Sequence, residues 1–168
     1  MSRARLVWHG ENESFPSCDL MLHAVPGVGN VGKVVTDSLV NTHESDLVVR
    51  ILHPDLPPHA TLNEQGLLIP PSLDVFSVTL PSGQKILALT SNFQPLTPAG
   101  QFEVASMLLE CCKKAKIGRL LVLAGLSAEP GDEAIHIVCS SKDDASAMKD
   151  MGLEVSKEHP SAGIIVMT

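Results

Sequence analysis

Residues 26–33, with the sequence PGVGNVGK, follow a short apolar run and precede a segment of helical spacing. The glycines Gly27, Gly29 and Gly32 have the G-x-G-x-x-G spacing of dinucleotide-binding loops. The same letters contain G-x-x-x-x-G-K, the spacing of a P-loop, which ends at Lys33. A strand that enters a glycine-rich turn and leaves it as a helix predicts a β-α-β unit, and this stretch therefore decides the fold class.

The segments around this turn predict an α/β fold. The apolar run at residues 19–25 predicts a buried strand, and residues 46–52 predict a second strand after the helix. The elements predicted further along are a hairpin at 73–91, a helix capped by Thr97, strands at 119–126 and 133–140, a helix from Ser141 to Gly152, and a strand at 162–168. We predict one domain over residues 1–168, a three-layer α/β/α sandwich with a mostly parallel sheet and strand 119–126 at its centre.

Apolar residues at helical spacing predict that two helices face the core. The first stripe consists of Val31, Val34, Val35, Leu39 and Val40, and the second of Phe102, Ala105, Leu108, Leu109 and Cys112. The histidines within predicted strands, His23 and His136, are expected to be hydrogen-bonded core residues.

Composition and charge argue against several classes of function. The net charge is −7 and only Lys113, Lys114 and Lys116 cluster, so a basic surface for nucleic acid is not expected. The four cysteines form no C-x-x-C pair, which argues against a zinc site or a disulfide framework and is typical of a reduced cytoplasmic protein. No apolar run approaches the ~18 residues of a membrane span, and no pair of histidines has metal-ligand spacing.

Three interpretations of the glycine-rich turn remain open. In the first it binds a dinucleotide, and Asp55 supplies the acid expected about 20 residues later. In the second it is a P-loop, although Val34 stands where a hydroxyl should coordinate magnesium. In the third it is structural: Gly27 and Gly29 adopt positive φ, and Gly32 lets the helix approach the sheet.

A second block of sequence supports a family resemblance. Residues 87–126 comprise an apolar strand, a polar stretch with two prolines, a helix and an apolar strand that ends in glycine. Together with the opening turn, this block resembles the proteasome assembly chaperone family, in particular its archaeal-type members. The matching residues of the second block are Gln94, Pro95, Pro98, Gly100, Gln101, Phe102, Glu103 and Gly125.

The resemblance implies a nucleoside-phosphorylase-like fold and a protein without catalytic residues, metal or cofactor. It implies binding to proteasome α-subunits or to other copies of the chain, as a homo-oligomer in the cytoplasm. The motif residues that could take part are Pro26, Gly27, Gly29, Gly32, Lys33, Asn92, Gln94, Pro98, Gly100, Gln101, Glu103 and Gly125. The alternative is a small nucleotide-binding regulatory domain that uses Gly27, Gly29, Gly32 and Asp55.

The expected oligomer has a specific basis in the end of the sequence. Family members continue with further helices beyond the strand that matches residues 162–168, where this sequence ends. An uncovered apolar edge strand invites pairing with another chain, so we expect a homodimer or larger assembly with this strand at its interface. The tyrosine of the family's C-terminal docking motif has no counterpart here, since the chain contains no tyrosine.

Overall fold

The computed structural model describes residues 3–127 and 135–156. These residues fall into two compact units, one of residues 3–125 and one that starts at residue 126. The single domain expected over residues 1–168 stays a prediction. The strand expected at residues 162–168 lies outside the described residues, as does its role at an interface.

The first unit contains a sheet, a separate hairpin and two helices. Its strands are β1 (Arg5–Trp8), β2 (Leu20–His23), β3 (Glu44–Leu52), β4 (Thr61–Leu62), β5 (Leu68–Ile69), β6 (Leu73–Thr79), β7 (Lys85–Ser91) and β8 (Arg119–Val122). Its helices are α1 (Val31–Thr42), preceded by one 3-10 turn (Val28–Asn30), and α2 (Pro98–Ala115). Among the described residues, strands β4 and β5 pair only with each other.

The sheet has the strand order β1-β3-β6-β7-β2-β8 and is mixed. Strands β7, β2 and β8 are parallel neighbours, whereas the pairs β1–β3, β3–β6 and β6–β7 are antiparallel. The expectation of a mostly parallel sheet is therefore correct for one side only. A tight turn joins β6 to β7 and makes them antiparallel, and this hairpin lies between β2 and β3, which were expected to form a simple β-α-β unit.

Helices cover both faces of the sheet, which confirms the three-layer α/β/α arrangement within this unit. Residues alternate between faces along a strand. On β7, Leu87 and Leu89 belong to the cluster that includes Val104 and Leu108 of α2. Their neighbours on the opposite face, such as Ala88, belong to the smaller cluster beneath α1.

The local signals at the ends of the helices are confirmed. Thr97 is the N-cap of α2, where its hydroxyl oxygen accepts the N–H of Gly100 at 3.1 Å, and Pro98 is the first helical residue. In the second unit, Ser141 caps α3 (Lys142–Asp150) and accepts the N–H of Asp144 at 3.1 Å. Gly152 follows that helix with a φ of +79°. These interactions span three or four residues and can be read directly from the sequence.

Two expectations about strands are wrong. Strand β8 lies at one end of the described sheet and not at its centre, because the crossing connections set strand order and apolar content does not. The strand expected at residues 133–140 is represented among its described residues by one parallel bridge, between Ile137 and Val155.

Candidate functional site

The glycine-rich turn is built from one left-handed glycine and one extended glycine. Gly29 has a φ of +62°, as expected, and Asn30 is also left-handed with a φ of +52°. Gly27 is extended with a φ of −158°, so its predicted positive φ is wrong. The change of direction into α1 is made by the 3-10 turn and by residues 29 and 30, and does not need a positive φ at Gly27.

Two glycines allow this turn to pack against the segment that follows β8. A Cβ atom on Gly32 would lie 2.8 Å from the carbonyl carbon of Leu123 and closer still to its oxygen. A Cβ atom on Gly125 would lie 3.1 Å from the carbonyl carbon of Val28. Since both contacts are with backbone, neither can be relieved by a change of rotamer. The expected close approach at Gly32 is confirmed.

This packing fixes which face of α1 is turned to the sheet. The predicted stripe is correct for Leu39 and Val40, which pack against the smaller core cluster, and wrong for its N-terminal part. The buried residues of the helix are Gly32 and Thr36. Three of the four valines predicted to face the core are exposed, Val31 by 56%, Val34 by 61% and Val35 by 43%, and Val28 in the preceding turn is exposed by 50%. Each residue is rotated by about 100° from its neighbour, so burial of Gly32 directs the adjacent valines outward. We call Val28, Val31, Val34 and Val35 the valine face.

A polar network ties the inner side of α1 to the sheet. Lys33 forms an ion pair with Asp37 one turn later, and the Thr90 hydroxyl on β7 donates a hydrogen bond to the other oxygen of Asp37. On the neighbouring strands the Arg50 guanidinium donates to Asp74 at 3.0 and 3.1 Å. Both carboxylates in this region therefore have a cationic partner.

A cleft of about 200 Å³ lies beside this network. It is lined by α1, by the β4–β5 hairpin and by the end of β7, with Lys33, Asp74, Ile69, Phe76 and Asn92 among its side chains. It brings together Lys33 and Asn92 of the two motif blocks. Because it is lined by charged, amide and apolar groups, it has no single preference for an anion or a cation.

The second motif block is organised around the N-terminus of α2. The Asp55 carboxylate accepts the backbone N–H of Thr97 at 2.7 Å and its hydroxyl at 2.6 Å. These hydrogen bonds lower the pKa of Asp55. A Cβ atom on Gly100 would lie 3.0 Å from the Cβ of Asp55, so glycine makes room for this contact. The Gln101 amide donates to the carbonyl of Pro95 at 3.1 Å.

A buried histidine links this helix to β3. His53 accepts the N–H of Asp55 on Nδ1 at 3.1 Å, so its proton is on Nε2, which donates to Glu103 at 3.1 Å. Glu103 also accepts the backbone N–H and the guanidinium of Arg3, both at 3.2 Å. The hydrogen bond from His53, followed by those from Arg3, lowers the pKa of Glu103 to about 2. Glu103 of α2 thus binds both Arg3, which precedes β1, and His53, which follows β3.

Asp55 is not brought together with the glycine-rich turn. It follows β3, while the glycines follow β2, and β6 and β7 lie between these strands. Three strand spacings correspond to about 14 Å. The Asp55 carboxylate faces Thr97, so the acid of the dinucleotide interpretation is used to organise α2.

His23 is buried without the hydrogen bonds expected for it. Among the described residues neither ring nitrogen has a partner. His23 lines a small cavity beneath α2 together with Leu108, Leu109 and Leu120. Burial in these apolar surroundings lowers the pKa of His23 to about 4, so the ring is neutral at pH 7.

The chain matches the model of the PAC2 family over residues 21–167. It belongs to the PAC2 family. A similar fold occurs in Pyrococcus furiosus PbaB, an archaeal proteasome activator, with a TM-score of 0.77 and 16% identity over 99% of this chain and 71% of that one. Pyrococcus furiosus PbaA, an archaeal homolog of proteasome-assembly chaperone, has a TM-score of 0.73 and 20% identity over 95% of this chain and 66% of that one.

A curated relative is an uncharacterized protein of Methanocaldococcus jannaschii, which is 22% identical over 91 residues. The match covers 54% of this chain and about a third of the relative, 34% of its length. The PAC2 resemblance inferred from the two motif blocks is thus confirmed as a family assignment, and the similar structures support the α/β/α fold.

Within this PAC2 fold, sequence reasoning missed His53, Arg3 and the Asp37–Thr90 contact. Each depends on residues that are distant in sequence, such as the 50 positions between His53 and Glu103. The pair His53 and Asp55, two residues apart after a strand, was the one local signal. Phe102, predicted to face the core, is 67% exposed beside this site.

The described residues also bear on metal binding and on membrane insertion. Across residues 3–127 and 135–156, no group of three or more His, Cys, Asp or Glu side chains is arranged to share a metal ion. In the same part of the chain, no helix combines the length and apolar content that crossing a bilayer requires.

Proposed function

We propose that this PAC2 protein is a non-enzymatic assembly chaperone that binds proteasome α-subunits, or other copies of itself, in the cytoplasm without a cofactor. The observation that carries the proposal is the valine face of α1, because the family's opening motif builds it and turns it outward. Val34 is exposed by 61% at its centre. An exposed apolar patch rimmed by polar residues is typical of a protein-binding surface.

The energetics of the valine face favour a protein ligand. Valine is a weaker helix former than alanine or leucine, so three valines on an exposed helical surface do not serve the helix itself. Burying such half-exposed side chains against a partner contributes on the order of 1 kcal/mol each. Lys33 and Asp37 on the same helix neutralise each other, so docking here need not strip water from an unpaired charge.

The motif residues have a supporting role in this proposal. Gly32 and Gly125 hold α1 against the segment after β8, and Gly29 shapes the turn that presents Val28. Pro98, Gly100, Gln101 and Glu103 organise α2. We infer that Pro26, Gly27, Lys33, Asn92 and Gln94 shape the neighbouring loops and the cleft and contact no nucleotide.

The choice of proteasome subunits is supported by the similar folds of PbaB, an archaeal proteasome activator, and PbaA, an archaeal homolog of proteasome-assembly chaperone. Their identities to this chain, 16% and 20%, concern the fold, so the partner itself is the hypothesis to be tested.

The test is binding of the purified chain to purified proteasome α-subunits, measured by surface plasmon resonance. Val34→Glu places a charge in the centre of the valine face and is expected to weaken binding by at least about tenfold. Because Val34 is exposed and glutamate is the better helix former, the melting temperature of Val34→Glu should not fall below that of the wild type. Gln84→Glu, an equal change of charge at the exposed β6–β7 turn, is the matched control. If the wild-type chain does not bind α-subunits at micromolar concentration, this partner is wrong.

Self-association is tested by light scattering during gel filtration with the same variants. If the valine face contacts another copy, the wild type elutes as a dimer or larger and Val34→Glu as a smaller species. A wild-type monomer at high micromolar concentration would exclude the chain itself as the partner.

A further inference from the structure

The β4–β5 hairpin carries a second exposed apolar surface, on the other side of the cleft. Leu62 and Leu68 are directly opposite each other in the pairing register, so their side chains share one face. They are exposed by 68% and 72%, and Leu67 in the turn is exposed by 63%. The other face carries Thr61 and Ile69, which line the cleft. The more apolar face of the hairpin therefore points away from the body of the unit.

This surface is held in a defined shape. The Asn63 side-chain oxygen accepts the backbone N–H of Gln65 at 3.1 Å and of Leu67 at 2.8 Å, and Gly66 takes the left-handed position with a φ of +74°. A pair of prolines stands on each side, at residues 57–58 and 70–71, and proline restricts the backbone of both stems. An element that is ordered before it binds loses less conformational entropy on binding. We call residues 57–71 the leucine finger.

The exposed area of the leucine finger indicates which kind of partner surface it contacts. The three leucines expose on the order of 400 Å² together, about half of the ~800 Å² per partner in a standard interface. Two fingers packed about a two-fold axis would bury too little surface for a stable dimer. A convex finger enclosed by a groove buries its face and its edges, so the area favours a concave partner surface over a second finger.

The negative charge of the finger and of the whole chain indicates the charge expected at the rim of that groove. Glu64 is the one acidic residue among residues 57–71, which contain no lysine or arginine, and the whole chain has a net charge of −7. A basic rim would attract the chain during encounter and pair with Glu64, while the leucines require an apolar floor.

We propose that the leucine finger inserts into an apolar groove with a basic rim on the protein partner. This inference rests on the proposed function for the identity of the partner, and it assigns to the finger a contact separate from the valine face. The finger supplies apolar contact area in a fixed shape, and the charge of the chain accelerates association.

Purified proteasome α-subunits are the probe. The variant with Leu62→Ser, Leu67→Ser and Leu68→Ser keeps the Asn63 and Gly66 turn and is expected to bind at least about tenfold more weakly than wild type. Gln84→Ser, in the exposed polar β6–β7 turn, is the matched control and should bind like wild type. Circular dichroism checks that each variant is folded, and association should slow as salt rises.

A second measurement does not depend on the stability of the triple variant. A photoreactive phenylalanine replaces Leu67 in one sample and Ser82 of the β6–β7 turn in another. Crosslinks to α-subunits from position 67 and none from position 82 support the finger. Wild-type binding that survives the triple substitution without a crosslink from position 67 overturns the inference and leaves the proposed function intact. No binding of the wild-type chain to α-subunits refutes this inference and the α-subunit partner of the proposed function, and association insensitive to salt refutes the basic rim.

Discussion

At the scale of single residues, Gly32 and Gly27 belong to one motif but are constrained differently. Alanine at Gly32 would place Cβ 2.8 Å from the carbonyl carbon of Leu123, whereas alanine at Gly27 would meet nothing closer than 4.0 Å. Gly27 is also extended, a conformation open to any residue. The motif spacing alone does not distinguish these two positions, and the packing does.

We therefore expect Gly32→Ala to destabilise the protein by about 1–3 kcal/mol, because the backbone of α1 must move away from the segment after β8. Gly27→Ala should change the free energy of unfolding by less than about 0.5 kcal/mol. Urea unfolding followed by circular dichroism measures both. Equal effects of the two substitutions would contradict the close contact at Gly32.

At the scale of elements, α2 is fastened by Glu103. This carboxylate receives the buried Nε2–H of His53 and the guanidinium of Arg3, and its low pKa, about 2, follows from these bonds. Its folded pKa lies below the ordinary 4.5, so its contribution to stability is present above pH 4.5 and is lost as the pH falls towards 2.

Glu103→Ala should lower the melting temperature more than Glu103→Gln, because alanine leaves the buried His53 donor without an acceptor and glutamine keeps one. Glu110→Ala, at an exposed position of the same helix, is the control and should have little effect. Differential scanning calorimetry at pH 7 and pH 2.5 measures these changes. The melting temperature of Glu103→Gln should lie closer to that of the wild type at pH 2.5 than at pH 7. An equal difference at both pH values would contradict a role for the carboxylate charge.

At the scale of the whole molecule, His23 couples folding to pH. Burial lowers its pKa from the ordinary 6.5 to about 4, so between these values the unfolded chain binds a proton that the folded chain does not. Stability therefore falls as the pH is lowered from 6.5 to 4, by about 3 kcal/mol in total. Most of this range lies above the one in which Glu103 titrates.

His23→Leu should remove most of this dependence between pH 6.5 and 4, because leucine has no proton to bind. Guanidinium unfolding at a series of pH values gives the free energy directly. Asn41→Leu, at an exposed position near the end of α1, removes no titratable group, so this control should retain the wild-type slope. If the free energy of unfolding of His23→Leu falls with pH as steeply as that of the wild type, other groups cause the loss of stability.

The sequence by itself determined the features that depend on neighbouring residues. The strand, glycine turn and helix at residues 20–42, the Thr97 cap with Pro98, and the turn between β6 and β7 all follow from interactions within a few positions. The two motif blocks were sufficient to identify the PAC2 family.

Tertiary structure alone decided what depends on distant residues. It placed the β6–β7 hairpin between β2 and β3, turned the valine face of α1 outward because Gly32 must meet Leu123, and joined His53 to Glu103. Apolar periodicity shows that a helix has two faces, but which face is buried depends on where the backbone can approach most closely. Strand order and side-chain pairs across the fold are set by such contacts, which cannot be predicted from the spacing of residues that are close in sequence.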